Sequence, residues 1–497
     1  MDIVISQDYA EAAGSNSLHS RSRSNWKFLY DSYVGGIEYK RGGYLTRYQL
    51  ENDNEYSQRT AVTPLDNQCR SIIATYISFM FRQCPERDFG TLETEPTLED
   101  FMEDCDWEGR DLDSFMKQAA IYANIFGHTW IVMSKPDVGA VTRADEIAAG
   151  VRPYLNLLTP LAVTDWKWAR RLNGSYELVY LKYVEDTNDT TTVIKEWTKT
   201  EVTTSHLSHE SQLISDRLIE LNGLGMIPAV IMYAHTSAVR GIGLSTITDI
   251  ADAQKFIFNM TSEAEQAVRL GSHPSLVKTK ETNAGSGAGS IIEMPEHMDP
   301  ALKPYVLEFN GQEISSIYTA INNTVSSIDK MANTGSIRAT EAKLMSGVSR
   351  EVEFQLLNAR LAEQADNIEL AEEQLWQIFC AYQGQVWDGE ITYPSSFAVR
   401  DTQNELDQLI KVYDKVANPL AKLAIEHELL ELVDIDFNDI VNPESTEDLV
   451  DMGLSNYTVH IMRNPVTGDE VEVDSEDGHN RAIANGFTVE VPMIVGE

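Results

Sequence analysis

Cysteine is scarce: four in 497 residues (Cys69, Cys84, Cys105, Cys380), scattered along the chain. Their spacing offers no metal site, so buried or idle thiols in a reducing cytoplasm are the expected state. No uninterrupted apolar run is long enough to span a bilayer. The start, Met1-Asp-Ile-Val-Ile-Ser-Gln-Asp8, lacks the basic and apolar regions of a signal peptide. Positive charge is also in short supply. Against 77 Asp and Glu stand 39 Lys and Arg, a net charge of −38. Such a surface repels phosphate and argues against gripping DNA through a basic face. It leaves open a DNA that merely slides past, and it leaves open plain solubility.

Catalytic signatures are missing too. Asn283-Ala-Gly-Ser-Gly-Ala-Gly-Ser290 has the glycines of a phosphate loop but no Lys after them and no helix opening behind them, so it reads as a flexible loop tip. Asp434-Ile-Asp-Phe-Asn-Asp439 imitates the start of a calcium loop, yet Asp439 stands where a Gly is required and Ser445 where a bidentate Glu should be. Asp474-Ser-Glu-Asp-Gly478 is weaker still. The ten histidines form no HExxH, and Gly241-Ile-Gly-Leu-Ser245 is not a nucleophile elbow. No enzyme, metal or cofactor is expected. A hydrolase assembled from dispersed Asp, Glu and His residues stays as an alternative.

What is present is an α+β pattern with room for more than one core. After a polar arm over residues 1–24 comes a helical, aromatic-rich segment from Trp26 to Gly36, with Tyr44-Leu45 and Tyr56-x-x-Arg59 beyond it. Residues 67–82 predict a buried helix. Residues 97–125 predict another helical region, starting at a Thr97 cap. The period then becomes two. Strands are expected at 128–133, 154–158, 176–183, 192–197 and 229–233, in one largely antiparallel sheet. A helix over 245–270 ends before Pro274, and a small β-containing insertion carries Lys278, Lys280 and the Gly-rich turn. A second helix puts Ile314, Ile317, Tyr318, Ile321, Val325 and Ile328 on one face.

A break follows at Asn333-Thr-Gly-Ser-Ile-Arg-Ala-Thr-Glu341, where Gly335 and Gly347 permit positive φ. Its cations, Arg338 and Lys343, either cap helix ends and pair with Glu341 or face passing phosphate. A long helix then spans roughly 35 residues, about 50 Å, with Leu357, Leu361, Ile368 and Leu375 at heptad-like spacing. A stripe that narrow needs a neighbour, in the same chain or in another copy. Beyond it come a short strand at Glu390, a helical stretch over 403–432, and a hairpin pairing 458–462 with 470–473.

Taken together, these runs resemble a tailed-bacteriophage portal protein over roughly residues 25–400. The resemblance rests on Trp26 to Gly36 with Tyr56-x-x-Arg59, on Gly127-His-Thr-Trp-Ile-Val with Pro136, Pro153-Tyr-Leu and Asp165-Trp166, and on Asn222-Gly-Leu-Gly-x-Ile-Pro228 with Gly241-Ile-Gly-x-Ser245 and Asp249-Ile-Ala-Asp252. The order helix, insertion, helix, break, long helix completes it. The hairpin after Tyr457 has no counterpart.

The resemblance implies a portal fold: arm 1–24, α/β wing 25–244 with a return strand in 387–400, stem helix 245–270, clip 271–310, second stem helix 311–332, tunnel loop 333–347, inner helix 348–384, and a mainly helical crown with its tail over 401–497. It implies a dodecameric ring at the capsid vertex, assembled in the host cytoplasm, through which double-stranded DNA is packaged and ejected. The implied partners are the terminase large subunit, then a head–tail adaptor, with the major capsid and scaffolding proteins around the ring. Membrane is not among them. On this view Arg338 and Lys343 touch DNA in the tunnel. Lys278, Lys280, Asn283 and Ser290 sit on the docking surface, and Leu357, Leu361, Ile368 and Leu375 pack between subunits. Another phage virion or scaffold-binding protein is the nearer alternative, the dispersed-site hydrolase the more distant one.

Overall fold

An asparagine starts the first helix. Asn16 accepts the Leu18 N–H at 3.0 Å, opening α1 (Ser17–Val34), and its own N–H donates to the Thr164 carbonyl at 2.9 Å. The loose arm expected over 1–24 is therefore helical from Ser17. The computed structural model describes residues 16–136, 143–187, 191–208, 217–272, 275–280, 282–284, 292–297, 299–307, 311–338 and 347–397, then 410–413, 415, 422, 460–463, 470–473 and 488–489.

After α2 (Gly36–Arg41), α3 (Asp53–Val62) is opened by a full capping box between Asn52 and Glu55. Next, α4 (Gln68–Met80) buries Cys69, Ile72, Ile73, Tyr76, Ile77 and Met80, as its apolar density predicts. A short strand, β1 (Glu86–Asp88), follows. The single helical region expected over 97–125 divides into α5 (Leu98–Glu103) and α6 (Leu112–Phe126). Thr97 does not cap; its hydroxyl donates to Glu95 at 3.2 Å, and Asp111 starts α6 by accepting the Ser114 N–H.

Two antiparallel sheets replace the one expected. In the smaller, β2 (His128–Ser134) lies between β3 (Tyr154–Leu158) and β9 (Ala229–Tyr233); α7 (Arg143–Ala148) sits in the β2–β3 connection. The larger is a meander of β4 (Val163–Arg170), β5 (Tyr176–Thr187), β6 (Thr191–Thr198), β7 (Glu201–Ser208) and β8 (Leu218–Leu221). Three of these strands escape the alternation test for physical reasons. Register shifts interrupt β4, β7 is mostly Thr, Ser and His, and every residue of β8 is exposed.

A two-residue pair, β10 (His235–Thr236) with β11 (Gly243–Leu244), leads into α8 (Thr248–Ser272). The insertion holds two small antiparallel pairs, β12 (Ser275–Val277) with β15 (Tyr305–Leu307) and β13 (Asn283–Ala284) with β14 (Ile292–Glu293). The chain returns on α9 (Gly311–Met331), which packs along α8, then makes α10 (Gly335–Arg338) and the 37-residue α11 (Gly347–Gln383). Its last strand here, β16 (Glu390–Thr392), pairs with β1. Residues 399–497 form a separate unit. In it the expected hairpin is present, with β17 (His460–Arg463) paired to β18 (Glu470–Val473), and β19 (Thr488–Val489) adds to its other edge. Most of the helical stretch expected over 403–432 lies outside the described residues.

The main core gathers α1, α4, α6, the β3-β2-β9 sheet and α11. Here one expectation is overturned. Leu357, Leu361, Ile368 and Leu375 are 0–3% exposed within the single chain, so they have no surface left to offer another subunit. The neighbour that the heptad stripe requires is the chain's own β2, β9 and α4.

Candidate functional site

Three places bear on function, and the first is the junction where α6, β2, the start of α8 and α11 meet. At the end of α6, Gly127 turns left-handed (φ 93), and a Cβ there would sit 2.5 Å from the Gly243 carbonyl oxygen. A Cβ on Gly243 would in turn stand 2.0 Å from the Gly127 oxygen, so neither position tolerates a side chain. Gly243 N–H donates to His128 Nδ1 at 3.2 Å. Burial then holds that imidazole neutral, its pKa pushed down to about 3. Asn124 closes the knot: its carbonyl accepts from Thr246 N–H (3.1 Å) and Ser245 Oγ (3.2 Å), and its Oδ1 from Thr246 Oγ1 (2.6 Å). Gln364, buried on α11, donates to Thr246 Oγ1 at 3.2 Å and so brings that helix to the same point. The Gly-His and Gly-x-Gly-x-Ser runs thus work as one backbone contact at which four elements converge.

Two buried ion pairs extend this frame. Arg87 bonds Glu372 of α11 (2.6 Å) and Asp113 of α6 (2.6 Å), while the Tyr393 hydroxyl donates to Glu372 at 2.5 Å. Glu372 is fully buried, so these partners offset its desolvation. Arg59 grips Glu51 with two bonds (2.7 and 2.8 Å) and donates to Ser262 of α8 at 3.0 Å. The bonds from Arg59 to Glu51 hold that carboxyl below its usual range, and the Tyr56-x-x-Arg59 run clasps the segment before α3 to α8. A cleft of about 440 Å³ beside it is lined by Tyr48, Glu51, Arg59, Gln266 and Arg269. Of the charged groups in its lining, Arg59 is committed to Glu51, Arg269 to Glu265, and Glu55 accepts the Asn52 N–H.

The second place is the break after α9. Asn333, not Gly335, takes the left-handed conformation (φ 54); Gly335 opens α10 and Gly347 opens α11. Carbonyls at the α9 C-terminus are answered by Tyr76 OH to Ala332 (2.6 Å) and Arg360 to Met331 (3.0 Å). Arg338 pairs with Asp329 at 2.8 Å and donates to Gln68. Its guanidinium is therefore spent on fixing the break, with Asp329 in the place expected for Glu341. Lys343 lies outside the described residues.

The third place is the insertion. Lys278, Lys280 and Asn283 are exposed there, and Ser290 lies outside the described residues. Around Lys280, the hydroxyls of Thr279 and Thr282 share a 2.8 Å hydrogen bond. The structure does not gather the predicted residues into one site. Sequence reasoning missed Asn124 and Glu372, polar residues on helices whose partners are remote in the chain; Gln364 it placed in the seam of the long helix, where it is buried. Among the described residues no group of three or more His, Cys, Asp or Glu could hold a metal ion, and no helix is long and apolar enough to cross a membrane.

No protein-family model matches the chain, and neither does any curated protein. Solved structures similar to it include a chain from the neck of an empty gene transfer agent particle computed with C6 symmetry (TM-score 0.42, 11% identity, 85% of this chain and 99% of that one). Another is from the neck of the native particle computed with C12 symmetry (0.41, 10%, 72% and 89%). A third is from the virion of the native particle (0.39, 9%, 86% and 99%). Likeness at this level is too loose to transfer a role.

Proposed function

We propose that this chain is a portal subunit: a non-enzymatic ring component at the capsid vertex through which double-stranded DNA is packaged and later released. The observation that carries the reading is the stalk. Helices α8 and α9 run side by side out of the wing, joined only by the small β-paired insertion. Between Ile314 and Ser327, α9 has no buried residue, although Ile314, Ile317, Ile321 and Val325 keep a helical apolar stripe. Its exposed positions are Ser315, Ser316, Tyr318, Thr319, Asn322, Asn323, Ser326 and Ser327, with no charge among them. In a chain of net charge −38, a half-covered helix stretch without exposed charge from Ser315 to Ser327 suits lateral packing of like copies, where charge would repel.

On this reading the insertion is the narrow end, and Lys278, Lys280 and Asn283 belong to the surface offered first to terminase and then to an adaptor. The acidic balance keeps contact with passing phosphate weak. Arg338 acts indirectly, by holding the break that α10 forms, and Lys343 is the cation left to meet DNA. Class-averaged negative-stain views of the purified protein test the proposal. An annulus with a central hole, in about twelve-fold symmetry, is expected. Compact single particles without a hole would sink it.

A further inference from the structure

Where the five-stranded meander begins, two arginines converge on one ring. Arg170, at the end of β4, and Tyr176, at the start of β5, are register partners, and the guanidinium lies 6.0 Å from the ring centre. Arg240 comes from the loop between β10 and β11. It stacks on the same ring at 4.0 Å and lies 5.6 Å from the Trp168 ring of β4. That loop is pinned. Gly241 turns left-handed (φ 85) so close to β4 that a Cβ would stand 2.3 Å from Trp166 Nε1. Its N–H donates to the Tyr233 hydroxyl at 3.2 Å, and Ser237 Oγ donates to the Ile242 carbonyl at 2.6 Å.

These two cations lack what other arginines of the chain have. Arg59, Arg87, Arg171 and Arg338 each hold a carboxylate. Arg170 and Arg240 are exposed and hold none among the described residues. Arg170 donates to the Gly174 carbonyl at 3.3 Å, and Arg240 has only its ring contacts there. A ring contact orients a guanidinium and leaves free the N–H edge that meets a carboxylate as a fork. Two like charges beside one ring, with no acid between them, point to an acid supplied from outside.

The surroundings favour a polypeptide. Tyr176 is half-exposed, Leu172 in the β4–β5 turn is fully exposed, and Val239 next to Arg240 is 45% exposed. Arginine, tyrosine and tryptophan together are the residues of protein-binding hot spots. A duplex asks for cations spread along its backbone and would meet the field of an acidic chain. We infer that Arg170 and Arg240 form a docking site for an acidic, partly apolar segment of another protein. The guanidiniums clamp its carboxylates, and its apolar side chains cover the exposed groups beside them. The site is independent of whether the chains form a ring.

Fluorescence anisotropy on the full chain tests it, with a labelled peptide alternating glutamate with leucine and tyrosine as the probe. Saturable binding is expected below about 1 mM, weakening as salt rises and lost when glutamine replaces glutamate in the peptide. R170E/R240E should raise Kd by on the order of tenfold or more, and R170Q/R240Q by less. K167E alters the cation over Tyr180, on the other face of the ladder, and should leave Kd unchanged. Thermal melts should match the wild type; if R170E/R240E melts early, the glutamine pair carries the comparison. Equal binding of the glutamine peptide, or no saturation by either peptide, would overturn the site. So would a short duplex that binds more tightly than the acidic peptide and is lost in the same variants. A change of oligomeric state in R170E/R240E, read by light scattering, would overturn it too, because the occupant would then be a second copy.

Discussion

Along α11 burial broadens toward the C-terminus; along the stalk it thins toward the insertion. From Leu357 and Leu361 the inner helix hides one seam, and by Ala371–Cys380 it hides most of its circumference, with Trp376 against Phe89, Phe101 and Trp387. Helix α8 buries Ile250, Ala251, Gln254, Ile257 and Phe258 at the wing, then ends exposed at Val268 and Arg269. Helix α9 buries Ile328 alone over its described span from Ile314. The difference teaches where one chain stops being self-sufficient. The inner helix completes the subunit, whereas the stalk keeps an apolar stripe that a single copy leaves half covered.

The comparison breaks most visibly at Leu361. Leu361→Asp would place an uncompensated carboxylate in a fully buried position, costing on the order of 3–5 kcal/mol. The expected result is a chain that loses its cooperative melt. A well-folded monomer would instead put the seam between subunits. Arg87→Ala should come close, on the order of 3 kcal/mol, because Glu372 would stay buried with its cation gone. Adding Glu372→Gln should recover part of that loss in a denaturant titration.

Acid should separate the regions next. His128 and His19 are buried with pKa values pushed down to about 3 and about 4, chiefly by desolvation. The unfolded chain takes up their protons near pH 6.5, and the folded wing refuses them. Their stabilisation is thus complete above about pH 6.5 and is lost as pH falls toward the folded values. Chemical denaturation from pH 7 to pH 4 should show a falling midpoint, flattened in His128→Gln relative to its own value at pH 7. Arg338→Ala is expected to be milder, about 1 kcal/mol, since it removes the Asp329 pair and one bond to Gln68. Its melt should drop by a few degrees with assembly retained.

Much of this contrast can be read in the residues. The order helix, insertion, helix, break, long helix is legible because Pro274, the Gly-rich turn and Gly335 punctuate it, and Thr458-Val-His-Ile-Met462 announces its hairpin by alternation. The side on which α11 would find its partner was not. Heptad spacing states that a stripe must be covered but not by which chain, and the buried acid Glu372 looks in sequence like any solvated helix residue. The role of Arg338 was hidden likewise. An arginine in a break is the same letter whether it meets Asp329 nine residues back or a phosphate in a channel.

The smallest effect on the subunit is also the most telling. Asn322→Glu with Ser326→Glu places carboxylates on the exposed, uncharged face of α9 and should leave the melt of the isolated chain within about 0.5 kcal/mol of wild type. If that face packs against like copies, sedimentation velocity should show the wild-type ring replaced by monomer. A variant that sediments as the wild-type ring does would contradict the account, because the bare stalk would then not be where the copies meet.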